Sequence, residues 1–213
     1  MNPDEILAAK SQVRRMVARV LVQMPPGRVG AASVAVGQRL AQIPSVRAAR
    51  TLMAFLSLPT EIDTWPIIRW AWHAGKRVAV PRIEPGPAGR DVPLRERSMV
   101  AVLLEPADVS GVAAHPAVRP GPLGILEVPG AAPLPLPEID VVLVPCQAVD
   151  RKGNRLGKGG GFFDRFLADP NLRADRIVIA FQEQLLDEVP VAEWDRPVRM
   201  VVTDAEVLTF GNL

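Results

Sequence analysis

The chain has 213 residues, enough for one sizeable α/β core or two small domains. Apolar residues make up 48%, which excludes a disordered chain, and no apolar run is long enough to span a bilayer. The net charge of +2 is too small to argue for nucleic acid, and one cysteine with two scattered histidines provides neither a disulfide framework nor a zinc site of usual type. The acidic N-terminus lacks the basic and apolar regions of a secretory signal, and the lone Cys146 fits a reducing cytosol, so a cytoplasmic location is expected.

In chain order, Pro3 to about Gln23 carries Ile6, Leu7, Val13, Val17, Val20 and Leu21 at helical intervals and is stopped by Pro25, Pro26 and Gly27. A second helix is predicted over about Ala31–Ile43, and a buried strand over Arg50–Ser57. Thr64 can cap a helix with Pro66 in its first turn and a glycine stop at Gly75. Strands are predicted at Arg77–Pro81 and Met99–Leu104, separated by a Pro/Gly loop over Glu84–Val92. Gly111–Pro137, rich in Pro and Gly, reads as a long irregular segment that forms one wall of a site. Further strands follow at Val141–Val144, Ile177–Phe181 and Met200–Thr203, with a short last one near Val207. This alternation predicts one α/β domain over residues 1–213 with a mostly parallel sheet. Ligands sit at the carboxyl ends of such strands, so the loops after Phe55, Pro81 and Pro145 are site candidates.

The most informative stretch is Asp150–Asp164, D-R-K-G-N-R-L-G-K-G-G-G-F-F-D. An apolar β-branched run (Ile139–Pro145) precedes it and the helically spaced F-F-D-R-F-L-A follows. A strand, a basic glycine-rich loop and a helix start together make a phosphate cradle, because glycine lets backbone N–H groups approach an anion. It is neither a Walker A loop nor a Rossmann fingerprint: Gly153, Gly157 and Lys158 are one residue short, and Gly159 stands where a Mg²⁺-binding hydroxyl belongs. The plain alternative is a tight structural turn, against which stand Arg155, Lys158 and Asp164 within one short loop.

G-N-R-L-G-K-G-G-G-F-F-D resembles the signature of the 5-formyltetrahydrofolate cyclo-ligases, also called methenyltetrahydrofolate synthetases. The resemblance extends in order to F-L-S-L-P-T-E-I-D-T (Phe55–Thr64), G-K-R-V-A-V-P-R (Gly75–Arg82), G-P-L-G-I-L-E (Gly121–Glu127), A-F-Q-E-Q (Ala180–Gln184) and V-P-V-A-E-W-D (Val189–Asp195). It implies a three-layer α/β/α sandwich related to the ribose-5-phosphate isomerase and CoA-transferase type. The implied reaction is ATP- and Mg²⁺-dependent cyclisation of 5-formyltetrahydrofolate to 5,10-methenyltetrahydrofolate. A non-catalytic folate- or nucleotide-binding paralogue is the alternative. The partners are then small molecules, with no nucleic acid or membrane, and the chain is expected to be a monomer, with a dimer as the other possibility.

By the same resemblance, ATP is held by Lys10, Arg14, Arg155, Gly157, Lys158, Gly159, Gly160, Gly161, Phe162, Phe163 and Asp164. Arg155 and Lys158 act on the transferred phosphoryl group. Lys10 and Arg14 lie one turn apart on a helix; read alone they are a solvated basic face. Phe55, Leu56, Glu61, Phe162 and Phe163 contact folate, with Phe55 and Leu56 also suited to a core strand. Asp164 and Asp195 contact Mg²⁺, an ion that prefers hard oxygen ligands. Two departures stand out. Phe162-Phe163 replaces the family's Tyr-Tyr pair in a chain without tyrosine, and Cys146 stands where relatives have glycine. With no base beside it in the sequence, Cys146 reads as a buried structural thiol.

Overall fold

The computed structural model describes residues 2–25, 27–86, 92–93, 96–121, 124–193 and 195–211. The helices are α1 (Pro3–Val22), α2 (Arg28–Leu40), α3 (Pro44–Ala48), α4 (Trp65–His73) and α5 (Phe162–Leu167). The strands are β1 (Thr51–Met53), β2 (Arg77–Ile83), β3 (Met99–Leu103), β4 (Arg119–Pro120), β5 (Leu126–Glu127), β6 (Val141–Val144), β7 (Ala148–Asp150), β8 (Arg155–Leu156), β9 (Asp175–Ala180), β10 (Leu185–Leu186), β11 (Met200–Thr203) and β12 (Val207–Thr209). A seven-stranded sheet has the order β12-β11-β9-β6-β1-β2-β3. Its inner strands are parallel, and only β3 and β12, at the two edges, pair antiparallel.

Each inner strand is apolar on both faces, as a sheet covered on both sides requires. Leu52, Val78, Val80, Val141, Leu143, Ile177 and Ile179 face the core shared with Val36 and Leu40 of α2 and Ile67 and Ile68 of α4. The alternate residues Met53, Ala79, Val142, Val144 and Val178 face the other core, closed by Phe166 and Leu167 of α5 together with Leu134, Ile139 and Leu172. The second helical layer is thin, because α5 has only six residues and irregular chain completes it. Among the described residues no helix is long and apolar enough to cross a membrane.

Several boundaries differ from the sequence reading. The strand expected over Arg50–Ser57 is regular only at Thr51–Met53; beyond Ala54 the chain leaves the sheet for a loop tied down by Thr64, whose hydroxyl donates to the Phe55 carbonyl at 2.6 Å. Thr64 stands at the N-cap of α4 as expected, but its side chain makes no capping bond there; Asp63 Oδ1 accepts the Trp65 N–H at 3.0 Å. Helix α2 starts earlier than expected, after Gly27 with φ +80°. Much of the Pro/Gly loop after Glu84 lies outside the described residues.

The main correction concerns what precedes the glycine loop. The helix-like start does not follow β6 directly: a hairpin of β7 and β8 intervenes, extended by β10 into a three-stranded sheet. Its turn is built on Asp150, which is fully buried. Oδ1 accepts the N–H groups of Lys152 and Asn154 at 2.9 Å each, and Oδ2 accepts Asn154 Nδ2 at 2.9 Å and the Val189 N–H at 3.3 Å. Four donors thus stand in for water around one carboxylate. Asp150→Asn turns an amide NH₂ toward those donors, and unfolding in urea should show a loss of about 1–3 kcal/mol; a stability equal to wild type would remove Asp150 as the anchor of this hairpin.

Candidate active site

In a parallel sheet the chain diverges where neighbouring strands lead off in opposite directions. Here that point lies between β1, which continues to β2 on one side, and β6, which continues to β9 on the other. A cavity opens there, lined by Phe55, Leu56 and Leu58 beyond β1, Pro81 and Ile83 of β2, and Pro145 and Cys146 beyond β6. The three loops expected from the sequence therefore meet at one place. The remaining wall is the glycine loop with Phe162, Phe163 and Asp164, facing Met99, Ile125 and Glu127. Ile125 and Glu127 belong to the Pro/Gly-rich segment expected to wall a site.

Residues 157–161 connect β8 to α5. Gly159 and Gly161 have φ of +109° and +65°, a region that suits glycine. At Gly157 the reason is space: a Cβ would lie 2.9 Å from Arg155 Nη1. From α1, Arg14 Nε donates to the Gly157 carbonyl at 2.8 Å, fastening the loop to the first helix. Burial pulls the Arg14 guanidinium below its ordinary value, while Asp195 and Asp164 act in the opposite direction.

Each of three cations already has a carboxylate. Lys10 Nζ donates to Asp195 Oδ2 at 2.5 Å, and that oxygen also accepts the Ala192 N–H at 2.7 Å. Arg155 Nη2 donates to Asp164 Oδ1 at 2.5 Å, and its Nη1 to the Pro145 carbonyl at 3.1 Å. Lys158 Nζ lies 2.8 Å from Glu61 Oε1, while Glu61 Oε2 accepts the Leu58 N–H at 2.8 Å. The Lys10 and Arg155 side chains are almost fully buried, whereas that of Lys158 is 44% exposed. Arg155 thus works from behind the loop, and its buried Nε has no hydrogen-bond partner among the described residues.

Four contacts thus tie Lys10 to Asp195, Arg155 to Asp164, Lys158 to Glu61 and Arg14 to the glycine loop, and the charges of Asp195 and Asp164 both act on Arg14. Phe55 and Leu56 serve twice, as core residues and as cavity wall. Phe162 lies under the Arg165 guanidinium, 5.0 Å from ring centroid to Cζ. Among the described residues no group of three or more His, Cys, Asp or Glu gathers as a metal cage, so Asp164 and Asp195 offer at most a partial ligand set. Glu127, in G-P-L-G-I-L-E, has no role that the sequence alone assigns; its one signal is an acidic residue among apolar ones in a segment expected to wall the site.

Comparisons with known proteins address the same region of chain. The model of the 5-formyltetrahydrofolate cyclo-ligase family matches residues 6–204. The chain belongs to that family. It is an enzyme of the ligase class. The 5-formyltetrahydrofolate cyclo-ligase of Escherichia coli K12 is 34% identical over 170 residues, covering 79% of this chain and 86% of the relative. The one from Mycolicibacterium smegmatis is 32% identical over 161 residues, 72% of this chain and 73% of the relative. Among solved structures, the 5,10-methenyltetrahydrofolate synthetase of Aquifex aeolicus superposes with a TM-score of 0.73 at 22% identity, covering 96% of this chain and 94% of that one. The synthetase of Mycoplasma pneumoniae gives 0.68 at 15% identity, over 92% and 98%. The two structures share the fold of a large, mostly parallel sheet.

Cys146, in the cavity wall beyond β6, is not set up as a nucleophile. Burial pushes its thiol up to about 12; Glu61 adds to the rise, while Arg155 and Lys158 oppose it. The thiolate is therefore scarce at neutral pH. Iodoacetamide at pH 8 should label the native protein at least about tenfold more slowly than the urea-unfolded chain; equal rates would show an accessible, ionised thiol.

Proposed function

We propose that this ligase cyclises 5-formyltetrahydrofolate to 5,10-methenyltetrahydrofolate with MgATP, releasing ADP and phosphate, and that residues 1–213 act as one cytoplasmic catalytic domain. The observation that carries the reading is the Lys158–Glu61 contact, which brings the basic glycine loop and the expected folate carboxylate to one apolar cavity. Phosphoryl transfer asks the protein mainly to position reactants and neutralise developing charge. The formyl oxygen attacks the γ-phosphorus and ADP leaves, giving an N5-iminium phosphate. N10 then attacks the activated carbon, the five-membered ring closes, phosphate departs and N10 gives up its proton. Closure within one molecule is favoured once N10 is held beside its target.

In this reading the loop from Gly157 to Phe163 and Arg14 hold the triphosphate, and Lys158 meets the transferred phosphoryl. Lys10 and Arg155 position Asp195 and Asp164 while adding positive charge behind the loop. Phe55, Leu56, Phe162 and Phe163 supply apolar surface for the folate ring, and Glu61 an acceptor.

The donor set suits Mg²⁺ as well. Asp164 Oδ2 and Asp195 Oδ1 make no hydrogen bond to the described residues, leaving one oxygen of each for a metal whose other ligands are phosphate oxygens and water. When bound, the ion neutralises charge on the phosphates. The protein's own contribution is to hold those two carboxylates through Arg155 and Lys10, close enough for both to act on the Arg14 guanidinium.

Purified protein mixed with 5-formyltetrahydrofolate and MgATP should generate the near-UV band of the methenyl product, and none without ATP. Folate binding without product would identify the non-catalytic alternative instead. Lys158→Ala should lower kcat/KM about 100-fold with an unchanged melting temperature; wild-type turnover would remove Lys158 from the reaction. Asp164→Asn should raise the Mg²⁺ concentration for half-maximal rate several-fold, and a superimposable Mg²⁺ titration would take Asp164 off the metal.

A further inference from the structure

Charge bookkeeping inside the cavity leaves one acid over. Its ionisable lining residues are Glu61, Glu127, Asp164, Arg155 and Lys158. Arg155 is taken by Asp164 and Lys158 by Glu61. Glu127 has no cation within ion-pair distance among the described residues, and its one hydrogen bond there is a long one, 3.2 Å from the Ile83 N–H to Oε2. It stands half-buried beside Ile83, Met99 and Ile125 in a wall that is otherwise apolar. An unpaired carboxylate in such surroundings is unfavourable unless something donates to it.

The chain holds Glu127 there deliberately. It ends β5, whose antiparallel pairing with β4 sets Glu127 opposite Arg119 in register. The carboxyl group then folds against Gly121, where a Cβ would sit 2.4 Å from Glu127 Cδ and 2.7 Å from Oε1. Gly121 does not have a positive φ, so the missing side chain serves space and not backbone conformation. An apolar wall carrying a carboxylate with no cation beside it among the described residues suits a heterocycle bearing N–H donors.

We propose that Glu127 is a substrate-orienting residue that accepts an N–H of the reduced pterin ring of the folate, complementing Glu61. This rests on the folate reading above. The test is titration calorimetry of 5-formyltetrahydrofolate into the intact protein, alongside steady-state kinetics. Glu127→Ala should weaken folate binding about 10-fold or more, with the KM for MgATP within about 2-fold of wild type. Glu127→Gln keeps one acceptor oxygen and should lose less. Gly121→Ala, which displaces the carboxylate while leaving it in the chain, should reproduce the alanine variant. Wild-type folate affinity in both Glu127→Ala and Gly121→Ala would overturn the assignment. So would a parallel loss of folate affinity, ATP affinity and melting temperature, the pattern of a purely structural residue. Should the wild-type protein make no methenyl product while Glu127→Ala still weakens folate binding, the catalytic reading fails and the role of Glu127 stands.

Discussion

The site depends on cations that are neutralised before any ligand arrives. Lys10 with Asp195, Arg155 with Asp164 and Lys158 with Glu61 join α1, the loop after β1, the glycine loop and the chain before β11. A bare cluster of positive charge this close together would repel itself and strain the loop. Removing one partner of a buried pair costs on the order of 3–5 kcal/mol, so the carboxylates are part of the framework as much as of the chemistry. On the proposed reading a polyanion enters by exchange at Lys158, while Lys10 and Arg155 keep Asp195 and Asp164 in place for the metal.

That framework in turn needs the sheet. Strands β1 and β6 diverge at their carboxyl ends and leave the crevice, and short connections bring the polar residues to it. The β7–β8 hairpin turns the chain back so that Arg155 arrives behind the glycine loop, where its donors reach both Asp164 and the Pro145 carbonyl. Gln184 ties the same region from the other side, its Nε2 donating to the Cys146 carbonyl at 2.8 Å. The backbone around Cys146 is thus held from two directions, and the thiol packs into the core beneath the cavity.

What the sequence made legible was whatever repeats locally. The apolar spacing of α1, the β-branched runs of β6, β9 and β11, and the left-handed glycine at Gly75 each follow from a few neighbouring residues. Less visible were features with no local period. Strands β8 and β10 have two residues each, too few to show alternation, and Asp150 gathers its donors from a turn and from distant Val189. The candidate site residues were named by motif, yet the pairing of Lys158 with Glu61 or of Lys10 with Asp195 could not be seen, because it depends on how the sheet brings remote segments together. Glu127 is hidden for the same reason: its significance lies in having no cation partner among the described residues, which only the assembled cavity reveals.

The three pairs are not equivalent, and the differences rank them for exchange. The Lys10 and Arg155 side chains are 4% and 2% exposed, so pulling either from its carboxylate would leave a buried charge uncompensated. Lys158 is 44% exposed while its partner Glu61 is 10% exposed, so water screens this pair from the lysine side only. On the proposed reading the exchange begins at Lys158, the most exposed of the three cations, and its first consequence is to free Glu61 Oε1 while Oε2 stays on the Leu58 N–H. If the proposed sites hold, anion binding at the glycine loop and the acceptor offered to folate are linked through one ammonium group, so that nucleotide and folate would reinforce each other with no movement of the sheet.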